Sequence, residues 1–244
     1  MPFPRKNSLA KIPLTPATLL LLGAALLLSS SPVLGQQTYV TRYDAYVGYA
    51  FLDSPRLSLF ENGLHSQFAV RPKTWCSLGF DYSLSAGDLT LTPNLLTTAL
   101  QQELRQVLPP GYTLSVPAHS RTQTFAAGPQ LSYRHYSKVT LFVRPSFGAI
   151  HERATAQPNP SDPIAVAIVK ELAPSGYKTD WTAFYGFGGG ADLLFSKHVA
   201  MRVQADLVYD HLFSDLLKDG RLTTRFSIGP SFNFGSNIRK AGTL

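Results

Sequence analysis

The sequence predicts an all-β protein: an eight-stranded antiparallel up-and-down transmembrane β-barrel with helices in two long extracellular loops. Three observations lead to this fold class. The N-terminus has the pattern of an export signal, eight later stretches alternate polar and apolar residues, and the connections between these stretches alternate between long and short. Together these features favour a barrel whose apolar face contacts lipid.

The first 35 residues have the organisation of a cleaved signal peptide. Three basic residues, Arg5, Lys6 and Lys11, precede an apolar run at 17–28, and small residues then lead to Gly35, after which we expect cleavage. The apolar run is short for a membrane-spanning helix, which needs about 20 residues. Loss of the three basic residues lowers the formal net charge from +7 to +4, too little to predict a nucleic-acid partner.

The eight predicted strands are bounded by clusters of Gly, Pro, Asn, Asp and Ser, as strands usually are. They cover residues 38–52, 64–72, 75–86, 121–134, 138–151, 180–195, 198–211 and 221–234. The long connections are 53–63, 87–120, 152–179 and 212–220, and the short ones are 73–74, 135–137 and 196–197. An up-and-down chain with this rhythm has its tight turns at one end and its loops at the other, as transmembrane barrels do. We therefore expect a barrel domain at 36–235 and a C-terminal tail at 236–244.

The two faces of the predicted strands indicate which side meets lipid. In strand 198–211, Val203 and Leu207 lie on one face, and Arg202 and Asp206 lie on the other. The polar faces contain few Lys or Glu residues, unlike the surface of a soluble barrel. Aromatic residues concentrate on the apolar faces near strand ends, where membrane proteins place aromatic girdles. They are Tyr39, Phe51, Phe80, Tyr82, Tyr133, Trp181, Tyr185, Phe195, Tyr209, Phe232 and Phe234.

Two of the long connections carry helix signals. Residues 92–111 begin with Thr92 as a candidate N-cap and Pro93 at the first helical position, and residues 161–176 begin with Asp162 and Pro163 in the same roles. Apolar residues recur on one face of each segment. These stripes either pack on each other or on the barrel rim, or they form a binding surface or lid. Loops 87–120 and 152–179 are therefore the candidate contact sites for an extracellular partner.

The charged residues on the polar faces are nearly balanced in sign. An eight-stranded barrel has an interior just wide enough for side chains to fill. A charge buried there needs a partner, and the planar guanidinium of Arg meets carboxylates in a bidentate way. We therefore predict a paired network that fills the lumen; the alternative is a narrow pore or carrier for small solutes lined by the same residues. They are Arg42, Asp44, Arg71, Asp81, Arg144, Asp192, Arg202, Asp206 and Arg225.

The segment GFGGGADLLFSKHVAMRVQADLVYDHLFSD and the final strand ending in SFNFG resemble small OmpA-type and porin-like outer-membrane barrels. The resemblance covers residues 38–235 and implies a multi-pass protein in the outer membrane of a Gram-negative bacterium, in contact with the lipid of that membrane. It concerns the barrel only, and we expect no peptidoglycan-binding domain. The last strand also resembles the signal read by the barrel assembly machinery, an expected partner during biogenesis, although in this family the signal usually ends the chain. The matching residues are Ser227, Gly229, Phe232 and Phe234.

These features favour a non-enzymatic protein with a structural or surface-interaction role. A remote alternative is a lipid-modifying enzyme that uses His211, Ser214 and Asp215, or His151 with Glu152. The sequence defines no nucleophile with a base and an orienting group. Because the six His residues are scattered and Cys76 is the single cysteine, we expect neither a metal site nor a cofactor.

Overall fold

The computed structural model describes residues 37–239, so the predicted signal peptide lies outside the described residues. Each strand pairs antiparallel with the next, and β8 pairs with β1 to close the barrel. The predicted eight-stranded up-and-down barrel is confirmed. The strands are β1 (Thr41–Ser54), β2 (Leu59–Lys73), β3 (Cys76–Leu91), β4 (Val116–Tyr133), β5 (Val139–Ala156), β6 (Tyr177–Leu194), β7 (Val199–Asp210) and β8 (Arg221–Asn237).

The connections define two ends of the barrel. The first and last strands meet at the terminal end, where Thr41 pairs with Asn237, so β8 extends beyond its predicted end at 234. The turns 74–75, 134–138 and 195–198 also lie at this end. The opposite end, the loop end, carries the connections 55–58, 92–115, 157–176 and 211–220.

The prediction of a long first connection at 53–63 is wrong. Only residues 55–58 join β1 to β2, through a 3-10 turn that closes at Ser58 in the left-handed region (φ 49°). Asn62 and Gly63 have the composition of a turn but lie inside β2. Residue 63 has to be a glycine, because the carbonyl of Leu84 on β3 occupies the space that a Cβ atom would need.

The barrel is apolar outside and polar inside. Phe147 and Phe187 on the outer face are 67% and 58% exposed, whereas the guanidinium groups of Arg144 and Arg202 are buried in the lumen. An outer surface of this kind is suited to lipid rather than water, and closure of the sheet leaves no strand edge unpaired. The fold is therefore that of a transmembrane β-barrel. Among residues 37–239, no helix has the length and apolar character needed to cross a membrane.

The loop end is covered by two helices, α1 (Thr98–Val107) and α2 (Pro163–Leu172). α2 begins as predicted, because the Asp162 carboxylate accepts hydrogen bonds from the amides of Ile164 and Ala165 at 3.2 and 3.1 Å. α1 does not begin at Pro93. Residues Pro93–Leu95 form a 3-10 turn instead, since the next residue, Leu96, pairs with Leu217 of the last loop.

The apolar stripes of the two helices pack together on the barrel rim. Leu114, Val116, Ala165 and Ile168 are buried in this cluster, and Leu104, Leu108 and Leu172 pack against it. The first of the two interpretations of these stripes is therefore confirmed. We call the folded loops 92–115 and 157–176 the cap.

Candidate functional site

The lumen near the terminal end holds a compact group of charges, the terminal cluster (Asp44, Arg71, Asp192, Arg202). Arg202 donates to both carboxylate oxygens of Asp192, from Nε at 2.7 Å and from Nη2 at 2.9 Å. Asp44 lies 2.6 Å from Arg71 and 3.3 Å from Arg202. Two acids and two bases thus neutralise one another where water is largely excluded, as a buried charge requires.

A second group, the central cluster (His65, Asp81, Arg144, Asp206, Arg225), lies further along the lumen. Arg144 contacts Asp81 at 2.6 Å, and Arg225 contacts Asp206 at 2.9 Å. His65 joins the cluster through its Nε2 atom, 3.1 Å from Asp81. Because inward side chains recur at every second residue of a strand, five strands can direct these groups to one place. Eight of the nine predicted lumen residues belong to the terminal and central clusters.

The ninth, Arg42, does not face the lumen, so this prediction is wrong. Its side chain is exposed on the outside of the barrel, while the neighbouring Thr41 and Asp44 are buried. The register between β1 and β8 shifts between Thr41 and Tyr43. A bulge of this kind places an extra residue in one strand and reverses the alternation beyond it.

A third group near the loop end, the outer cluster (Glu61, Glu152, Asp210, Arg221), was not predicted. Arg221 contacts Glu152 at 2.6 Å and Asp210 at 3.2 Å. Glu61 accepts a hydrogen bond from Thr122 at 2.7 Å. The predicted start of β2 at 64 placed Glu61 in a loop, although it continues the alternation of inward residues that includes His65.

The lumen is filled rather than open. Two cavities that adjoin the charged clusters measure about 10 Å³ each, close to the size that holds one water molecule. Near the loop end, Ile150 and Val208 are buried together with Leu212 and Phe213 of the last loop. The first two of these side chains lie beyond the central cluster along β5 and β7, and with Thr122 and Thr124 they line the cavity between the central and outer clusters.

Arg134 closes the terminal end from the turn 134–138. It donates from Nε to the Thr74 carbonyl at 2.9 Å and from Nη1 to the Thr140 hydroxyl at 3.0 Å. Burial, together with the positive charge of Arg71, lowers the pKa of Arg134 to about 10. The guanidinium stays charged at neutral pH and adds a positive group to this mouth of the barrel.

The candidate catalytic residues face different directions or contact other groups. His151 faces outward and lies 4.5 Å from Trp181 between ring centroids, whereas Glu152 faces the lumen. In the last loop, His211 contacts the Tyr209 hydroxyl, and Asp215 pairs with Lys178. Within the described part of the chain, no three His, Cys, Asp or Glu side chains are arranged to hold a metal ion.

The residues of the predicted assembly signal occupy both faces of β8. Ser227 is buried in the lumen, and Gly229 lies on the same inward row, where a Cβ atom would collide with the Val47 carbonyl of β1. Phe232 and Phe234 are exposed on the outer face, where Phe234 stacks on Tyr43. Recognition by the assembly machinery remains a prediction.

Comparisons with solved structures find other eight-stranded membrane barrels. Ail of Yersinia pestis, in complex with the heparin analogue sucrose octasulfate, is 12% identical over 80% of this chain and 99% of that chain (TM-score 0.46). Neisserial surface protein A is 10% identical over 79% and 96% (TM-score 0.49). OprG of Pseudomonas aeruginosa is 10% identical over 82% and 99% (TM-score 0.45). No protein-family model and no curated protein sequence matches the chain. The function therefore has to be argued from the chain's own residues.

Proposed function

We propose that this chain is a non-enzymatic protein of the outer membrane of a Gram-negative bacterium, with a structural or surface-interaction role. The terminal end, with its tight turns, faces the periplasm, and the cap faces the outside, as in other outer-membrane barrels. Export through the predicted signal peptide at 1–35 and insertion by the barrel assembly machinery belong to the same proposal. The apolar outer face supports the membrane location.

The observation that carries a structural role is the pairing of buried charges inside the lumen. Arg71, Arg144, Arg202 and Arg225 are among the largest fully buried side chains, and each contacts a carboxylate. Three of these contacts join neighbouring strands, and Asp81 with Arg144 joins β3 to β5. Arg202 also donates to Gln67 at 2.7 Å and so joins β7 to β2 through the lumen. A lumen filled in this way holds the wall together and leaves no path for a solute.

Conductance in planar lipid bilayers tests this role. We expect the purified protein to give no current above that of the bare bilayer. A general porin in the same bilayers is the positive control. Gel mobility with and without boiling shows, on the same preparation, whether the barrel is folded. Steady unitary openings from a folded, monomeric preparation would contradict a structural plug.

One observation favours the second candidate, a narrow pore or carrier for small solutes. Among the described residues, several buried polar atoms have no hydrogen-bond partner, including Nε of Arg144 and Oε1 of Gln204. Buried polar groups usually have partners, so ordered water is expected beside these atoms. Steady conductance would show that such water forms a continuous path through the lumen. The function would then be that of a narrow pore, and the proposed structural role of the filled lumen would be wrong.

The cap supports the surface-interaction part of the proposal. The hydroxyl of Tyr112 donates to Asp162 at 2.6 Å and ties the two cap loops together. Val107 at the end of α1 is 76% exposed, and Val166 on α2 is also exposed. An ordered loop module held on a rigid barrel is a common location for binding residues.

A loop replacement tests this part. Residues 93–113 and 158–175 are replaced by short Gly/Ser turns. Bacteria that express the original protein and bacteria that express the loop-replaced protein are compared for binding to cultured eukaryotic cells. We expect the replacement to reduce binding while the barrel keeps its heat-modifiable gel mobility. Equal binding by the two strains would leave only the structural role.

A further inference from the structure

Two arginines lie side by side on the outer face of the barrel near the loop end. Arg121 on β4 and Arg153 on β5 are direct partners in the antiparallel register, and both are exposed. Directly opposite residues have Cβ atoms about 5 Å apart. Two like charges in this position repel each other, so the arrangement destabilises the sheet unless an anion is bound between them.

The arginine pair lies just beyond an aromatic group on the same face. Trp181 pairs with His151, which is two residues before Arg153 along β5, toward the terminal end. Phe125 stacks on Trp181 with ring centroids 6.2 Å apart. Aromatic rings of this kind lie at the depth of lipid headgroups. The two guanidinium groups are therefore placed at the headgroup layer on the side of the cap.

The surrounding acids are engaged by other residues. Asp88, which lies diagonal to Arg121 in the sheet, contacts His119 at 2.8 Å. Asp180 accepts hydrogen bonds from the backbone amides of Trp181 and Phe213. In residues 37–239, neither Arg121 nor Arg153 forms an ion pair with an acidic side chain, so the positive charge of the pair is not compensated by the protein.

Arg153 is held in place by an aromatic ring. Its guanidinium lies over the ring of Tyr177 on β6, 3.9 Å from the ring centroid. Stacking of this kind fixes the plane of a guanidinium and leaves its N–H groups free to donate. One arginine of the pair is thus oriented before any ligand binds, which reduces the entropy lost on binding.

From this geometry we infer that Arg121 and Arg153 bind a phosphate group of a phosphorylated glycolipid in the outer leaflet. The inference rests on the proposed location of the protein in the outer membrane. Phosphate suits the pair because two guanidinium groups can each donate to its oxygens, and such charge-assisted hydrogen bonds are strong. A lipid is the source because the site faces sideways into the membrane, next to the aromatic rings.

Lipid binding to the refolded full chain in detergent micelles tests the inference. The probes are lipid A with two phosphates and lipid A from which both phosphates have been removed, and native mass spectrometry measures the bound fraction. We expect the phosphorylated form to bind about tenfold more tightly, because charge-assisted hydrogen bonds are lost with the phosphates. The double variant Arg121→Gln/Arg153→Gln should lose this preference. The matched control Arg105→Gln removes an exposed arginine of α1 and should keep it.

A second measurement does not depend on lipid. In phosphate-free detergent, Arg121→Gln should raise the unfolding temperature, since it removes the repulsion within the pair.

Equal binding of the two lipids, or an unchanged preference in the double variant, overturns the inference. If the protein is then still a heat-modifiable barrel, the proposed function stands. A chain that forms no heat-modifiable barrel in micelles or vesicles overturns both.

Discussion

Replacing Arg202 with methionine should destabilise the barrel strongly. The guanidinium is fully buried, and it makes two hydrogen bonds to Asp192, a third to Gln67 at 2.7 Å and an ion pair with Asp44. Methionine fills part of the space but leaves the two carboxylates with Arg71 as the remaining base of the terminal cluster. Asp192 then loses the base that contacts it directly, and Arg134 at the mouth of the barrel acts on it only through space.

The expected loss of free energy of unfolding follows from the carboxylate that Arg202→Met leaves without its base. Removing one partner of a buried ion pair costs about 3–5 kcal/mol, because the other charge stays buried without compensation. Removing both partners is much milder, since apolar groups of similar size pack in the same space. We therefore expect Arg202→Met to lower the free energy of unfolding by about 3–5 kcal/mol. The double variant Arg202→Met/Asp192→Leu should recover most of that loss.

Urea unfolding in phosphatidylcholine vesicles, followed by tryptophan fluorescence and gel mobility, measures these changes. The matched control is Arg56→Met, which removes an arginine whose ion pair with Asp219 at 2.8 Å is exposed to solvent. This control should leave the free energy of unfolding within experimental error. If Arg202→Met is as mild as Arg56→Met, the lumen is solvated like a surface, and our account of the plug is wrong.

Three further predictions concern other parts of the molecule. Gly188→Ala should destabilise the barrel by about 1–3 kcal/mol in the same assay, because a Cβ atom there would overlap the Asp206 carboxylate; no change would mean that this carboxylate can move freely. Phe147→Arg should cost about 2–4 kcal/mol in vesicles if this residue faces lipid, whereas Phe147→Leu should be mild; equal effects would contradict a lipid-facing position. Hydrogen bonds from the Tyr112 hydroxyl and from backbone amides hold the pKa of Asp162 below its usual value. The N-cap of α2 is therefore intact at neutral pH. It is lost as the pH falls through that lowered pKa. Proteolysis of the cap should therefore accelerate only below about pH 4, and Asp162→Ala should abolish this pH dependence.

The barrel could be predicted from the sequence because polar and apolar residues alternate with a period of two in every strand. The face assignments of Arg202, Asp206 and Arg225 needed only that period and the choice of lipid as the outer environment. The same rule failed at Arg42, where a bulge reverses the alternation. Gly235 of β8 lies at that bulge with a φ of 91°, as bulge glycines do. It does not show which residue of β1 changes face, because this depends on how the two strands pair across the closing seam.

The outer cluster could not be predicted for a different reason. Asn62 and Gly63 are typical turn residues, and local composition therefore placed the start of β2 too late. Pairing with β1 and β3 extends the strand through both residues and brings Glu61 into the lumen. The distances within the cap were also beyond sequence reasoning, although Asp162 and Pro163 marked the start of α2 correctly.

Conduction through this barrel would require the central cluster to open. An ion on the barrel axis has to displace Arg144 or Arg225 from its carboxylate, and breaking such a pair costs about 3–5 kcal/mol. Since each 1.4 kcal/mol is about a factor of ten, an open state would be populated at roughly one part in a hundred to one part in several thousand. The ion would then meet the apolar side chains of Ile150 and Val208. Rare, brief openings are compatible with this estimate, whereas steady conductance is not. A function that involves other molecules therefore belongs on the outer face and the cap, where the arginine pair and the exposed helix surfaces are accessible.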